Sequence, residues 1–250
     1  MTAMGRKWGR LVYIDLLAGP GRDVNPDTGE GFDGSPLIAL KVRPPFHKLY
    51  LGDAEVENVT ALRQRIPPAD LSRIDLDVGD CHDRAKKVVE ALSRGTLGLA
   101  FVDPEGFDVK FDMFRQFARG PIDVLFLFPT SGITRNLRLF ARREESPLDR
   151  LIEGWRELPM AKRAAGKRLT LAEEARFQKS MVGEFRNRMH TVGFVQQDRD
   201  DPALLGPKRA IMFHLMFFSR HKAGLTIWKE VKKVGPDKQR VLDLTYPDEV

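Results

Sequence analysis

Four short stretches of this chain carry the residues that could do chemistry. The first is Asp15-Leu-Leu-Ala18-Gly19-Pro20-Gly21, an acidic residue followed by a small-residue turn. Glycines there let the backbone approach a ligand with no side chain in the way. The second is Asp53, where a carboxylate could accept hydrogen bonds from two vicinal ribose hydroxyls. The third is Asp80 with Cys81, an acceptor suited to the exocyclic amine of an adenine and a residue expected to line the pocket. The fourth is Asp103-Pro104-Glu105-Gly106, placed where a reactive amine would be presented, with Phe107 one step beyond. Singly, each has an ordinary explanation. Asp is a favoured helix N-cap, and Asp-Pro or Gly-Pro-Gly commonly starts a turn. Their recurrence at successive strand ends is the signal.

Those ends belong to a regular alternation of strands and helices. Leu11–Asp15, Lys48–Leu51, Ile74–Val78, Leu97–Val102 and Ile122–Phe128 read as strands, the last two almost wholly apolar, as in a sheet covered on both faces. Between them, helices are expected over about 54–66, 82–92 and 109–118. Ser35-Pro36 is expected to start another, with Ser35 as N-cap. Residues 23–34 are expected to be loop, and Asp75 and Asp77 to face solvent. The order predicts a parallel, doubly wound sheet, whose ligands sit beyond the carboxyl ends of the strands.

After Phe128 the alternation stops. A helical insertion is expected over about 131–190, with Leu137, Phe140, Leu148, Leu151, Trp155, Phe177, Met181 and Phe185 in the core and Ala161–Thr170 as a mobile loop. Strands return at Phe194-Val195 and Ala210–Phe218, then a helix over Ala223–Val234, with an edge strand over Arg240–Tyr246. Pro129–Gly132 reads either as the mouth of a substrate site or as a helix start. One domain over 1–250 is the expected organisation.

Two cofactor classes compete on such a sheet. A dinucleotide site prefers Gly-x-Gly-x-x-Gly and an acidic residue about 20 positions on, but the third glycine position is Val24 and Asp53 lies further away. S-adenosylmethionine has no pyrophosphate to seat on a helix N-terminus, so the missing glycine matters less to it. S-adenosylmethionine is the expected cofactor.

Tyr13-Ile-Asp15, Ala18–Gly21 and Gly34-Ser-Pro-Leu-Ile-Ala-Leu40, with Phe101-Val-Asp-Pro104 and Phe217-Phe-Ser-Arg-His221 followed by Gly224–Trp228, resemble the three-Cys-motif partner protein family. The resemblance spans most of the chain. It implies a Rossmann-like class I methyltransferase fold, mainly parallel with an antiparallel C-terminal strand, and a three-Cys-motif protein as partner. The pattern also resembles enzymes that methylate amines of DNA and RNA bases through Asp-Pro-Pro-Tyr. Asp103 and Pro104 match that motif, Glu105-Gly106 do not, and Phe107 is left as the ring that could stack on a base. The implied activity is methyl transfer to a nucleic-acid base amine; the alternative is an inactive module of the same fold acting with a partner protein.

The chain has 250 residues, 42% hydrophobic and 30% charged, with a net charge of +6. No apolar run approaches the roughly 20 residues of a membrane span, so a cytoplasmic protein without a membrane is expected. Cys81 is the only cysteine, and His214 and His221 form no metal-ligand spacing, so neither a disulfide nor a metal is expected. Basic residues cluster from Arg135 through Arg138, Arg142, Arg143, Arg150 and Arg156 to Arg168, and again over 208–233. Arg142 and Arg143 are candidate substrate contacts. Glu144, Glu145, Glu153 and Glu157 interleave with the first cluster, so a solvated helical face is the competing reading.

Overall fold

The computed structural model describes residues 9–25, 28–107, 109–167, 169–205 and 211–233. The chain divides into two compact units, one of residues 1–102 and 115–125, the other of 103–114 and 126–250. Arg240–Tyr246 lies outside the described residues.

In the first unit, β1 (Arg10–Asp15), β4 (Lys48–Asp53), β5 (Ile74–Val78), β6 (Thr96–Val102) and the first half of β7 (Ile122–Phe128) stand in the order β5-β4-β1-β6-β7. Strand β1 pairs in parallel with β4 on one side and β6 on the other, Asp15 lying opposite Leu51 and Phe101. Strand β4 pairs in parallel with β5, Asp53 opposite Val78. The chain thus builds outward from β1 through β4 and β5, then returns to its other side with β6. The order reverses at the end of β1, where a doubly wound sheet opens its crevice.

Crossover helices α2 (Val56–Arg65) and α3 (Cys81–Ala91) follow β4 and β5, and α4 (Phe111–Phe117) comes between β6 and β7 in the chain. Leu37, Leu49, Leu51 and Leu62 form one buried cluster with Tyr13. Burying a leucine of this kind stabilises the fold by roughly 1.5–3 kcal/mol. Residues 23–34 are not a plain loop. They contain a hairpin of β2 (Arg22–Val24) and β3 (Gly31–Asp33), with Arg22 opposite Asp33. Helix α1 (Ser35–Lys41) follows, but its N-cap is Gly34 rather than Ser35. Asp75 and Asp77 do not simply face solvent either: both bond the buried Arg84, at 2.9 and 3.0 Å.

In the second unit, the end of β7 leads into α5 (Thr130–Arg142), α6 (Pro147–Leu151), α7 (Pro159–Gly166) and α8 (Leu171–Thr191). The mobile loop expected at Ala161 is therefore helix as far as Gly166. A capping box between Thr170 and Glu173 starts α8. Strand β10 (Ile211–Ser219) runs antiparallel to β8 (Gln196–Gln197) and β9 (Ala203–Leu205), and α9 (Lys222–Lys233) ends the unit. The strand expected at Phe194 begins two residues later, because the Phe194 N–H is still tied to the Met189 carbonyl at the end of α8, at 3.0 Å. All eight expected core residues of the helical segment are buried. Phe185 of α8 is the hub, its ring 5.0 Å from Phe126, 5.2 Å from Phe114 and 5.5 Å from Phe128. Among the described residues no helix is long and apolar enough to cross a membrane.

Candidate cofactor site

The turn after β1 is held from below. Ala18 N–H donates to the Gly52 carbonyl at 2.9 Å, and Gly19 N–H donates to Asp53 Oδ2 at 2.9 Å. The Arg65 guanidinium donates to the Pro20 carbonyl. Gly19 and Gly21 have φ of 58° and 81°, a left-handed conformation that favours glycine. Their surroundings differ. A Cβ on Gly21 would stand 2.6 Å from Leu62 Cδ1, whereas one on Gly19 would meet nothing within 4 Å. Gly21 packs the loop onto α2, and Gly19 presents bare backbone to open space.

Asp15 is fully buried. Its carboxylate accepts hydrogen bonds from Ser35 Oγ at 2.6 Å, Tyr13 Oη at 3.1 Å and Leu17 N–H at 3.4 Å. The Ser35 hydroxyl donates to Asp15, and Ser35 is itself the first helical residue, with Gly34 at the N-cap. Gly34 N–H donates to the Gly21 carbonyl at 2.8 Å and brings the head of α1 against the glycine turn. There Pro36 lacks an N–H, so the head of α1 offers one donor fewer to an anion.

Asp53 stands half-buried at the end of β4. Its Oδ1 accepts from Glu55 N–H at 2.9 Å and Asn58 Nδ2 at 3.0 Å, in addition to the Gly19 bond on Oδ2. A carboxylate has about four acceptor positions, so about one remains for a ligand hydroxyl. Gly79 N–H donates to the Asp53 carbonyl at 2.9 Å and ties in the turn that carries Asp80.

Asp80 is the N-cap of α3, its Oδ1 accepting from His82 N–H at 2.8 Å and Asp83 N–H at 3.3 Å. Partial burial works against the charge, but these two bonds and the His82 ring hold the carboxyl below its ordinary range. It stays an exposed, ionised acceptor. Cys81 beside it is buried, with Sγ 3.5 Å from His82 Nδ1. Asp80, Cys81 and His82 place three potential ligand atoms within 4.8 Å of one another. They do so at a helix N-terminus, whose dipole disfavours a cation.

The structure therefore bonds the glycine turn directly to Asp53 through Gly19, reaches Asp15 through Ser35 and Leu17, and ties the Asp80 turn to Asp53 through Gly79. Asp103, Pro104, Glu105, Phe107, Arg142 and Arg143 all belong to the second unit. Asp103 directly follows β6 and is half-buried, Pro104 is buried, and Glu105 is exposed. Phe107 packs edge-on against Phe140, centroids 5.0 Å apart, so its ring already has an intramolecular partner. Arg142 and Arg143 are exposed at the end of α5. Pro129–Gly132 is a helix start, with Pro129 at the N-cap.

Ser35, Asn58 and Arg84 were missed by sequence reasoning. Only Arg84 had a readable signal: Asp75 and Asp77 share one strand face, and two carboxylates on one face call for a cation.

No family model matches the chain, and no curated protein matches it. Among solved structures it is similar to protein LPL1258 of Legionella pneumophila str. Philadelphia 1, from the family DUF519. The two are 12% identical over 94% of this chain and 85% of that one, with a TM-score of 0.53. Looser similarity links it to the N-terminal domain of EvdMO1 with SAH bound, at 13% identity over 88% and 79% of the chains and a TM-score of 0.43. The plantazolicin methyltransferase BamL, in complex with a triazolic desmethylPZN analog and SAH, is 9% identical over 87% and 81%, with a TM-score of 0.36. The first likeness extends to the fold and no further, and the other two are too distant to add to it. With the strand order and the antiparallel β10, the fold is a Rossmann-like class I methyltransferase fold.

Proposed function

We propose that this chain binds S-adenosylmethionine at the glycine turn of its first unit and methylates an amine of a nucleic-acid base. One observation carries the cofactor choice: the buried Asp15 carboxylate sits at the head of α1, beside a bare and open Gly19 backbone. Adenosylmethionine brings a sulfonium and an ammonium group, whereas a dinucleotide brings a pyrophosphate. The acid favours the first and repels the second.

The residues fit the cofactor part by part. Gly19 and Pro20 lie against the methionine moiety, with Asp15 behind them as a positioning residue. Asp53 accepts one ribose hydroxyl, and Asp80 accepts the adenine amine beside Cys81. When bound, the cofactor supplies an electrophilic methyl group. Asp103 and the Pro104 carbonyl are assigned the acceptor amine, whose hydrogens they accept so that its lone pair is free. Asp103 would hold the amine for transfer and, with solvent, take up the one proton that the amine would release. Catalysis of this kind is mainly proximity and orientation.

Thermal unfolding with adenosylmethionine, adenosylhomocysteine and NAD in parallel tests the reading. A ligand at a hundredfold excess over its Kd adds about 2.7 kcal/mol. Stabilisation by the first two and not by NAD is expected; stabilisation by NAD alone would reject it.

A second reading has its own observation. With Phe107 packed on Phe140 and Glu105-Gly106 after Pro104, no free ring follows the acceptor motif. That favours a non-catalytic module of this fold serving a partner, the three-Cys-motif protein of the family it resembles. Cofactor binding without turnover on any polynucleotide would select it.

A further inference from the structure

The structure separates the basic residues from Arg135 to Arg163 into two groups. Arg150, Arg156, Lys162 and Arg163 are each paired with a carboxylate: Glu145 at 3.0 Å, Asp149 at 2.7 Å, Glu157 at 2.7 Å and Glu173 at 2.9 Å. Arg135, Arg138, Arg142 and Arg143 are exposed and have no acidic partner among the described residues. The first three stand at i, i+3 and i+7 of α5 and so share one face. The opposite face buries Ile133, Leu137 and Phe140.

Helix stability does not account for this stripe. Cations in the last turn complement the helix dipole, which explains Arg142 and Arg143. Arg135 and Arg138 lie mid-helix, where the dipole offers them little. Spaced three and four residues apart, Arg135, Arg138 and Arg142 repel one another. Glu144 is the nearest free carboxylate in sequence, beyond the helix end. A row of like charges with no internal counter-charge matches an external polyanion. From Arg135 to Arg142 the helix rises about 10 Å at 1.5 Å per residue. Arginine forks suit phosphate oxygens, and duplex DNA carries one charge per ~1.7 Å of its axis.

We infer that the exposed face of α5, through Arg135, Arg138 and Arg142, binds the phosphodiester backbone of a nucleic acid. This deepens the reading above and rests on its nucleic-acid part. The contact is to backbone, so it holds and orients a strand without selecting its sequence.

The test is fluorescence anisotropy of a labelled 20-nucleotide single strand, as RNA and as DNA, with the full chain from 50 to 300 mM salt. Each phosphate contact contributes about 0.7 to the slope of log K against log salt for single strands. The variant Arg135→Gln/Arg138→Gln/Arg142→Gln is expected to flatten that slope by about 2 and to weaken binding at least tenfold at 100 mM. Arg135→Gln alone is expected to flatten it by about 0.7, which keeps the test decisive if the triple variant misfolds. Lys162→Gln/Arg163→Gln, whose cations are already paired, is expected to leave it unchanged. An unchanged slope in the arginine variants overturns the inference. So does binding of a polyglutamate peptide with no binding of either strand, which would point to an acidic protein. Thermal stabilisation by adenosylhomocysteine, measured on the same samples, separates the two claims. Its absence with a flattened slope removes the cofactor reading and leaves the stripe; its presence with an unchanged slope removes the stripe alone.

Discussion

Gly19 N–H and Asp53 Oδ2 lie 2.9 Å apart, joining the turn after β1 to the end of β4 across 34 positions of sequence. One carboxylate thus fixes the backbone of the glycine turn and offers its remaining acceptor position to a ligand. The two roles can be separated by substitution.

Asp53→Ala should remove both, weakening adenosylhomocysteine binding by roughly 1.5–3 kcal/mol, the worth of a charged hydrogen bond. Asp53→Asn keeps one oxygen and should lose less. Isothermal titration of the two variants checks the order, and equal affinity of Asp53→Ala and wild type would remove Asp53 from the site.

The two glycines of the turn should respond differently to alanine. Gly21→Ala combines a φ of 81° with a 2.6 Å approach to Leu62 Cδ1, and should destabilise the fold by about 1–3 kcal/mol in urea unfolding. Gly19→Ala meets no neighbour, so it should cost about 1 kcal/mol of backbone strain while placing a methyl group on the open face. Its main effect should be on cofactor affinity.

Phe185→Ala should be among the most damaging single changes in the second unit. Its ring is fully buried among Phe114, Phe126 and Phe128, and such truncations cost about 3–5 kcal/mol. Denaturant midpoints measure this directly.

Stability should carry an acid limb set by Asp149. Partial burial would raise this carboxyl, but donors from Arg156, Ser146 and Trp155 pull it down to about 2. A folded value below the unfolded one means stabilisation that is present above about pH 4 and lost as the pH falls towards 2, worth about 2 kcal/mol. Asp149→Asn should lie well below wild type in stability at pH 7 and approach it at low pH.

Strands β1, β4, β6 and β7 were readable because they are largely buried apolar runs, and the edge strand β5 because apolar and acidic residues alternate along it. The four acidic positions were readable because each ends one of them. What sequence could not give is where those side chains turn. Ser35 has every mark of an N-cap, yet its hydroxyl goes to Asp15, 20 residues away in sequence and adjacent only after folding. The β2–β3 hairpin has three-residue strands and no apolar alternation, so neither period of side-chain burial could reveal it. Asn58 reaches Asp53 from the first turn of α2, a contact set by the angle of a crossover.

That hairpin leaves the main path and comes back to where it left. Gly34 N–H closes onto the Gly21 carbonyl at 2.8 Å, so everything between them is an excursion with a sealed base. Doubling the length of a flexible loop costs only about 0.6 kcal/mol once its ends are fixed. The excursion is therefore a natural grafting point, where a reporter peptide could be spliced in beside the glycine turn without disturbing the strands that hold it.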